Sequence, residues 1–231
     1  MSATAATAAP VSSQAWFGTY VALVSDLRDP DGLGRVKVTL PWVSDPDDGS
    51  FEVWARVATL MAGQDRGTWF IPDVDDEVLV AFGHGDPRHP YVIGALWNGV
   101  DSPPESMDGG GRNTKKVIRS RNGVKVTLDD EDGREQFIVE TPGGQKLTLK
   151  DGPASIEAAD SHGNAIKLDA GGITVNASAT VTIQAAQVKV SAAMVTVEAG
   201  MSSFSGIVKA DTIITNSVVS ASYTPGAGNI W

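Results

Sequence analysis

Residues 171–200 read GGITVNASATVTIQAAQVKVSAAMVTVEAG, and the spacing of their apolar side chains decides the fold. From Thr180 this stretch divides into sevens, in which the apolar residues lie two positions apart. On a helix, residues i and i+2 point to nearly opposite sides, whereas on a strand they share one face. The Val, Ile and Thr that fill these positions also suit strands. Each heptad therefore predicts one short strand followed by a bend of small residues.

The apolar positions of the heptads form two columns that a single strand cannot bury. A one-chain solenoid needs roughly twenty or more residues per coil, whereas seven residues supply about one strand and one corner. Three identical chains that each give one side of every layer would bury the columns and leave no exposed strand edge. The alternative is an ordinary antiparallel meander within one chain. The predicted trimer core consists of Ile173, Val175, Val181, Ile183, Val188, Val190, Val195 and Val197.

Composition narrows the classes of function. The 231 residues carry a formal net charge of −10, which argues against nucleic acid or an anionic membrane surface as the main partner. Cysteine is absent from the sequence, which excludes disulfides and thiolate metal sites. Residues 1–15 are rich in Ala, Ser and Thr, so they predict a flexible arm rather than a signal peptide. No apolar run approaches the roughly twenty residues of a membrane span.

The stretch from residue 16 to 99 predicts a separate all-β domain. It holds five strand-like runs separated by turn signals such as DPDGLG and GDPRHP. Five strands in about 85 residues are typical of a small Greek-key barrel of the OB type, with the aromatic residues expected in its core. OB barrels often bind oligonucleotides, but residues 1–99 contain thirteen Asp or Glu against six Lys or Arg, which disfavours that use.

The remaining chain is expected to form a linker and a needle. Residues 100–117 predict a linker or neck, because they include two consecutive prolines and three consecutive glycines. The needle is predicted at residues 118–222, where short strands and hairpin turns lead into the heptads. Residues 112–125 contain six Lys or Arg and no acid. We expect this basic stretch to face the acidic turn at residues 129–132 or an acidic surface of a partner.

Residues 69–99, WFIPDVDDEVLVAFGHGDPRHPYVIGALWNG, resemble the OB domain of contractile-tail spike proteins. These include phage baseplate assembly protein V and the VgrG proteins of type VI secretion. The matching elements are Pro72, Asp76-Glu77-Val78, Gly85-Asp86-Pro87, Pro90, Ile93-Gly94 and Trp97-Asn98. The upstream stretch DPDGLGRVKVTLPW, residues 29–42, is similar to the turn and strand of the same family. The resemblance implies a homotrimer with a collar of OB domains beneath the tube and a C-terminal β-helical needle.

The resemblance also implies two further partners. VgrG proteins carry a large hub region before the OB barrel, whereas this chain has only about fifteen residues there, so a separate hub or baseplate protein is expected at the OB end. In the family, a PAAR-like tip protein often sits on the end of the β-helix. Residues 223–231 break the heptads and form either the seat of such a tip or a frayed tail. The predicted tip contacts are Tyr223, Pro225, Gly226, Asn229, Ile230 and Trp231.

No catalytic constellation is predicted from the sequence. His84, His89 and His162 each lie beside Gly or Pro in a predicted turn, without the spacing of a metal site or an activated nucleophile. We therefore expect no enzyme activity, no metal and no cofactor.

The expected function is structural. The trimer would cap the inner tube of a phage tail or phage-tail-like injection system and pierce the target envelope, meeting the target membrane transiently. It would assemble in the bacterial cytoplasm into a virion baseplate or injection particle, without a signal peptide. The alternative is a glycan- or nucleic-acid-binding OB module on a trimeric β stalk.

Overall fold

The computed structural model describes residues 15–43 and 51–222. Within those ranges the regular elements are strands, apart from one short 3-10 turn at Gly83–Gly85. The chain divides into two units, with the boundary between Thr180 and Val181. The described part of the chain contains no helix that is long and apolar enough to cross a bilayer.

Five strands of the first unit close into a barrel, which confirms the five strand-like runs of the sequence. Each pair of neighbouring strands is antiparallel except β3 (Phe51–Val57) and β7 (Pro90–Ala95), which run parallel. A short hairpin, β4 (Ala62–Gly63) and β5 (Arg66–Gly67), follows β3 in the chain. In order around the barrel, the strands are β1 (Thr19–Asp26), β2 (Val36–Leu40), β3 (Phe51–Val57), β7 (Pro90–Ala95) and β6 (Glu77–Phe82); the hairpin comprises β4 (Ala62–Gly63) and β5 (Arg66–Gly67).

The barrel core is aliphatic, so the prediction of an aromatic core is wrong for most of the aromatic residues. Only Phe82 among them belongs to the buried set, while Trp69 and Trp97 are 75% and 69% exposed. A barrel of five strands encloses a narrow interior that β-branched and small side chains fill. The buried apolar residues are Ala22, Val24, Val36, Val38, Leu40, Ala55, Val78, Val80, Phe82 and Val92. Several of the remaining aromatics pack beside this core, including Trp16, Tyr20 and Phe51.

A second sheet of the first unit consists of seven strands in sequential order, each antiparallel to the next, and we call it the meander. Its hairpin turns coincide with the turn signals in the sequence. Four of them contain a glycine with positive φ, a conformation that favours glycine: Gly123 at +89°, Gly133 at +70°, Gly144 at +85° and Gly163 at +86°. The strands are β8 (Lys115–Arg119), β9 (Lys125–Asp129), β10 (Gln136–Glu140), β11 (Lys146–Lys150), β12 (Ser155–Ala159), β13 (Ala165–Asp169) and β14 (Gly172–Asn176).

The second unit contains residues 181–222, which we call the heptad segment. No strand is assigned anywhere in this described range, and all of its residues are exposed. The strands predicted for the heptads therefore do not form within a single chain. A strand requires a hydrogen-bonded neighbour, and the segment does not fold back to supply one.

Candidate trimer interface

Alternation along the strands divides the meander into an apolar face and a polar face. Because successive side chains point to opposite sides, the registers of the six strand pairs define rows across the sheet. Two adjacent rows contain almost only aliphatic or aromatic residues. The first row is Ile118, Val126, Val139, Leu147, Ala158, Ile166 and Val175. The second row is Leu128, Phe137, Leu149, Ile156, Leu168 and Ile173, preceded on β8 by Lys116.

This apolar face is in contact with solvent in the single chain. The exposure of its leucine and isoleucine side chains runs from 38% for Leu168 to 73% for Ile173, and Phe137 is 40% exposed. Contiguous apolar surface of this extent, left in water, marks a contact with another molecule. Burying each large aliphatic side chain contributes about 1.5–3 kcal/mol, so a partner that covers both rows gains a large stabilisation.

The polar face of the meander is suited to water on β11 to β13, whereas on β8 to β10 its central row holds Val117, the buried Thr127 and Ile138. Its central row includes Thr148, Glu157 and Lys167, which are paired across β11, β12 and β13. On the same face, the Lys167 Nζ lies 2.8 Å from Asp169 Oδ2. The hydrogen bond from Lys167, together with one from the backbone N–H of Gly171, holds the pKa of Asp169 below its ordinary value. The two faces therefore have opposite chemistry, as expected for one wall of a tube with a dry interior.

The predicted trimer-core residues lie in both units. Ile173 and Val175 lie on β14 as the last members of the two apolar rows. The other six lie in the heptad segment, where their exposure ranges from 57% to 73%. The structure of one chain does not bring these six into contact with a partner strand. The predicted tip contacts at residues 223–231 lie outside the described residues.

Most of the apolar face was missed by sequence reasoning. The signal was present, because strands such as KLTLK and AIKLD carry apolar residues two positions apart. These strands follow one another at varying intervals along the chain, unlike the heptads. Without a constant interval the apolar residues form no column in the sequence, and only the strand registers align them.

The basic stretch at residues 112–125 meets acidic groups, as expected. The Lys116 Nζ lies 2.8 Å from Asp130 Oδ2 in the predicted acidic turn. The guanidinium of Arg121, in the turn between β8 and β9, lies 3.0 Å from Asp73 Oδ1, just before β6. The second contact joins the barrel directly to the start of the meander.

Glu105 in the linker provides another connection. Its carboxylate lies 3.8 Å from the Lys115 Nζ on β8 and 3.5 Å from the Lys125 Nζ on β9. A hydrogen bond from the backbone N–H of Ser106 and the charge of Lys115 lower the pKa of Glu105. Lys115 and Lys125 lie on the polar face, so the linker is tied to the side opposite the apolar rows.

The turn between β1 and β2 is built around the Asp29 carboxylate. Oδ2 accepts hydrogen bonds from the backbone N–H groups of Leu33 (2.8 Å) and Arg35 (3.1 Å), and Oδ1 accepts one from Arg35 Nε (3.0 Å). The side-chain hydrogen bond from Arg35 is the largest cause of the lowered pKa of Asp29. The Asp and Arg of the DPDGLGRV stretch therefore shape the turn, and neither is left to act on a ligand.

The outer face of β2 and β3 does not form an open nucleic-acid groove. The Arg35 guanidinium and the Lys37 ammonium lie over the Trp54 ring, at 5.8 and 5.5 Å from its centroid. Arg35 is paired with Asp29, and the Lys37 Nζ lies 3.5 Å from Glu52 Oε2. A single-stranded nucleic acid needs free cations and free aromatic faces, and here both are already engaged within the chain.

The GDPRHP turn is also structural. The Asp86 carboxylate accepts hydrogen bonds from the backbone N–H (2.9 Å) and Nε (3.0 Å) of Arg88, and the side-chain bond is the main cause of the lowered pKa of Asp86. Gly85 has φ +74°, and a Cβ there would lie 3.1 Å from the Cβ of Ala15. His84 lies in the 3-10 turn Gly83–Gly85 and His89 in the GDPRHP turn that follows it, as predicted for turn residues.

Two family models match these structural parts. The type VI secretion system/phage-baseplate injector OB domain matches residues 20–97, which contain the barrel. The phage baseplate V C-terminal trimerisation domain matches residues 136–201, which run from β10 into the heptad segment. The two parts of the chain are therefore each similar to a domain of phage-baseplate or type VI secretion injector proteins.

Individual relatives include spike proteins of type VI secretion systems. The chain is 33% identical over 116 residues to the spike protein VgrG3 of Vibrio cholerae, a match covering 47% of this chain and 11% of that protein. It is 28% identical over 127 residues to the spike protein VgrG1b of Pseudomonas aeruginosa, covering 52% and 17%. A third match, 31% identical over 116 residues, is to the actin cross-linking toxin VgrG1 of Vibrio cholerae and covers 10% of it. The chain thus spans less than a fifth of these relatives.

The match to a trimerisation domain agrees with the chemistry of the apolar face. Its range includes most of the strands that carry the two rows and the first three heptads. The match therefore supports a homotrimer.

Proposed function

We propose that the chain is the central spike subunit of a contractile injection machine, either a phage tail or a phage-tail-like system. Three copies would cap the inner tube with their barrels and drive a β-structured needle through the target envelope when the sheath contracts. The role is mechanical and organisational, and it requires no catalytic group. This chain would contribute a rigid shaft, formed by the needle, and a collar of OB barrels that fits the end of the tube.

One observation carries this proposal: a single chain joins an injector-type OB barrel to a trimerisation domain with an uncovered apolar face. Either part alone is compatible with other functions, because barrels of this type bind many kinds of ligand and trimeric stalks occur in many kinds of protein. The first part is similar to a type VI secretion and phage-baseplate injector domain, the second to a phage baseplate V trimerisation domain, and relatives of the chain are named as type VI secretion spike proteins.

The stiffness of the needle follows from closure of the trimer. In a closed tube every backbone N–H and C=O is paired and the interior is dry and close-packed, so bending breaks many contacts at once. The apolar rows of the meander and the columns of the heptad segment would form that interior. The polar face, with Thr148, Glu157 and Lys167, would form the outer wall.

The proposal includes partners at both ends. A separate hub or baseplate protein would bind the OB end, and a PAAR-like tip protein would bind residues 223–231. The predicted domain limits at 15/16, 99/100, 117/118 and 222/223 would separate the arm, barrel, neck, needle and tip segment. Assembly would take place in the bacterial cytoplasm, and the product would be part of a baseplate or injection particle that meets a target membrane only briefly.

Electron microscopy of the assembled particles tests the proposal. Cells making the machine with an affinity-tagged chain should yield particles with three-fold density on the tube axis, and an antibody against the tag should label that end of the tube. Particles from cells producing the Val190→Glu chain should lack the density, while a Ser191→Glu control should retain it. Particles that assemble and contract normally without the chain would reject the proposal.

A further inference from the structure

The ends of the meander strands form two edges that differ in charge. Neighbouring strands run in opposite directions, so each edge combines strand ends with the turns that join them. The edge at Lys115, with the turns 130–135, 151–154 and 170–171, holds seven Asp or Glu against three Lys or Arg, and we call it the acidic edge. The edge at Arg119, with the turns 120–124, 141–145 and 160–164, holds four Lys or Arg against two Asp or Glu, and we call it the basic edge.

Arg119, the last residue of β8, has no acid beside it. Its partner across the strand pair is Lys125, and like charges in that position repel each other. Glu105 compensates the charge of Lys125 at 3.5 Å, whereas none of the ion pairs among the described residues includes Arg119. Arg119 is also exposed. Its guanidinium is therefore available to an acid on another molecule.

The acidic edge offers a place for such a side chain. A cavity of about 230 Å³ opens there, with Asp129 and Asp130 beside the apolar side chains of Leu128 and Phe137. The stem of an arginine packs on apolar side chains while its guanidinium binds carboxylates. Arg119 lies on the opposite edge of its own sheet, about 17 Å away at five residues per strand, so it cannot enter the cavity of its own chain.

Three-fold symmetry brings unlike edges together. In a cyclic trimer each contact joins two different surfaces, so the acidic edge of one meander faces the basic edge of the next copy. A two-fold contact at a single edge would instead place that edge against itself, and its like charges would repel each other. The opposite charges of the two edges therefore favour the cyclic arrangement.

The strand ends on the polar face determine how the two edges are aligned. On the basic edge they are, from β8 to β11, Arg119, Lys125, Glu140 and Lys146, and on the acidic edge Lys115, Asp129, Gln136 and Lys150. If strands of the same number faced each other, Arg119 would meet Lys115 of the next copy. Lys146 would then meet Lys150, which makes two pairs of like charge.

A shift of one strand removes both clashes. If each strand end on the basic edge faces the following strand on the acidic edge, Arg119 meets Asp129. Glu140 then meets Lys150, and no pair of like charge remains among these strand ends. A shift of one strand in the other direction would place Glu140 against Asp129. Larger shifts leave the ends of two or more strands on each edge without a neighbour.

We propose that each meander binds the next copy of this chain through these two edges with a shift of one strand, an inference that rests on the trimer of the proposed spike. Arg119 of one copy enters the cavity of the next copy and pairs with Asp129, and Glu140 pairs with Lys150. Cyclic symmetry permits no translation between chains, so the shift requires strands that are tilted against the three-fold axis. A rise of one strand spacing, about 4.8 Å, across each wall corresponds to a tilt of roughly 15°.

Introduced cysteines test this alignment, because the sequence contains no cysteine. A disulfide requires Cβ atoms about 3.5–4.5 Å apart, which is less than one strand spacing. Arg119→Cys with Asp129→Cys joins a shifted pair, and Lys115→Cys with Arg119→Cys joins the unshifted pair at the same strand. In one chain the two cysteines of either variant lie on opposite edges, so each disulfide reports a contact between chains.

The shifted pair should give a band of three linked chains on a non-reducing denaturing gel after mild oxidation of the full-length chain. The unshifted pair should give a band of one chain. Glu140→Cys with Lys150→Cys repeats the shifted design, and Lys146→Cys with Lys150→Cys repeats the control. Linking of the unshifted pairs in place of the shifted ones overturns the inference. So does a dimer band from Arg119→Cys alone, because that band requires a two-fold contact.

Reversal of charge gives a second measurement. Arg119→Asp places two acids together and should lower the melting temperature of the trimer by about 2–4 °C, while Arg119→Asp with Asp129→Arg should recover it. Arg66→Asp makes the same change of charge on the β5 strand of the barrel and should leave the melting temperature unchanged. Equal melting temperatures of the Arg119→Asp and Arg66→Asp variants contradict the pairing.

Failure of the inference can be distinguished from failure of the spike proposal. If light scattering shows a wild-type trimer but neither shifted pair forms a disulfide, the edges do not meet as proposed, and the spike is unaffected. If the wild-type chain is a monomer, the trimer fails, and with it both the spike and the contact between edges.

Discussion

The meander and the heptad segment share the same alternation of apolar and polar residues, but only the meander pairs with itself. The difference lies in the connections between strands. Two meander turns contain Gly144 and Gly163 with positive φ, which allows a tight reversal of the chain. The heptads are joined by Ala185-Ala186 and Ala192-Ala193, and none of these alanines has positive φ. Alanine strongly disfavours that region, so the chain turns a corner without reversing.

This comparison separates two kinds of information in the sequence. Alternation determines which side chains face the core, whereas the connection determines which strand becomes the neighbour. In the proposed trimer, the meander would therefore need sister chains only to cover its apolar face. The heptad segment would need them for backbone hydrogen bonds as well as for packing, since unpaired backbone groups would be costly in a dry core.

The largest effect is expected from a charge in the core columns of the heptad segment. Val190→Glu would put three carboxylates into a dry interior without partners, at a cost of several kcal/mol per ion, which should dissociate the trimer. Sedimentation velocity should show monomers. Ser191→Glu, one position away on the outer face, serves as the control and should remain trimeric. Identical sedimentation of the two variants would contradict the proposed core columns.

A smaller loss is expected in the meander, where strand pairing within the chain survives. Phe137→Ala truncates a central member of the second apolar row and should destabilise the trimer by about 3–5 kcal/mol per chain if sister chains bury the face. Lys146→Ala, at an exposed position on the polar face of β11, should be nearly neutral. Thermal unfolding monitored by circular dichroism measures both. A Phe137→Ala variant that is as stable to heat as the wild type would mean that the apolar face remains in water.

Turn chemistry should have an effect of intermediate size. Gly144 has φ +85°, and a Cβ there would lie 3.0 Å from the Cβ of Ser161, so Gly144→Ala should cost about 1–2 kcal/mol. Gly109 in the linker has open space around it, and Gly109→Ala should change the free energy of unfolding by less than about 0.5 kcal/mol. Denaturant titration compares the two variants. Equal stability would show that the meander turns do not depend on positive φ.

The smallest effect is expected in the dependence of stability on pH. Lys167 holds the pKa of Asp169 below its ordinary value, so this pair stabilises the folded state above about pH 4 and loses that contribution as the pH falls further. Asp169→Asn should therefore destabilise the chain slightly at pH 7 and flatten the dependence of the melting temperature on pH below about 4. If the melting temperature of the variant depends on pH in the same way as that of the wild type, the Lys167–Asp169 pair does not contribute to stability.

The sequence predicts the strands better than it predicts the core. The five barrel strands could be predicted because alternation and turn residues agree at each boundary. The heptad columns can be proposed from the sequence because their interval is constant, and they stay a prediction. Residues such as Phe137 and Leu149 could not be aligned, since the interval between meander strands varies. The barrel aromatics were misassigned because size alone does not indicate burial: Trp69 is exposed and Val80 is fully buried.

The mass of the full-length chain in solution tests the central claim most directly. If the apolar rows and the heptad columns are buried against sister chains, light scattering at micromolar concentration should give three times the chain mass of 24.1 kDa. A particle with the mass of one chain would contradict the account, because both surfaces would then have to remain in water.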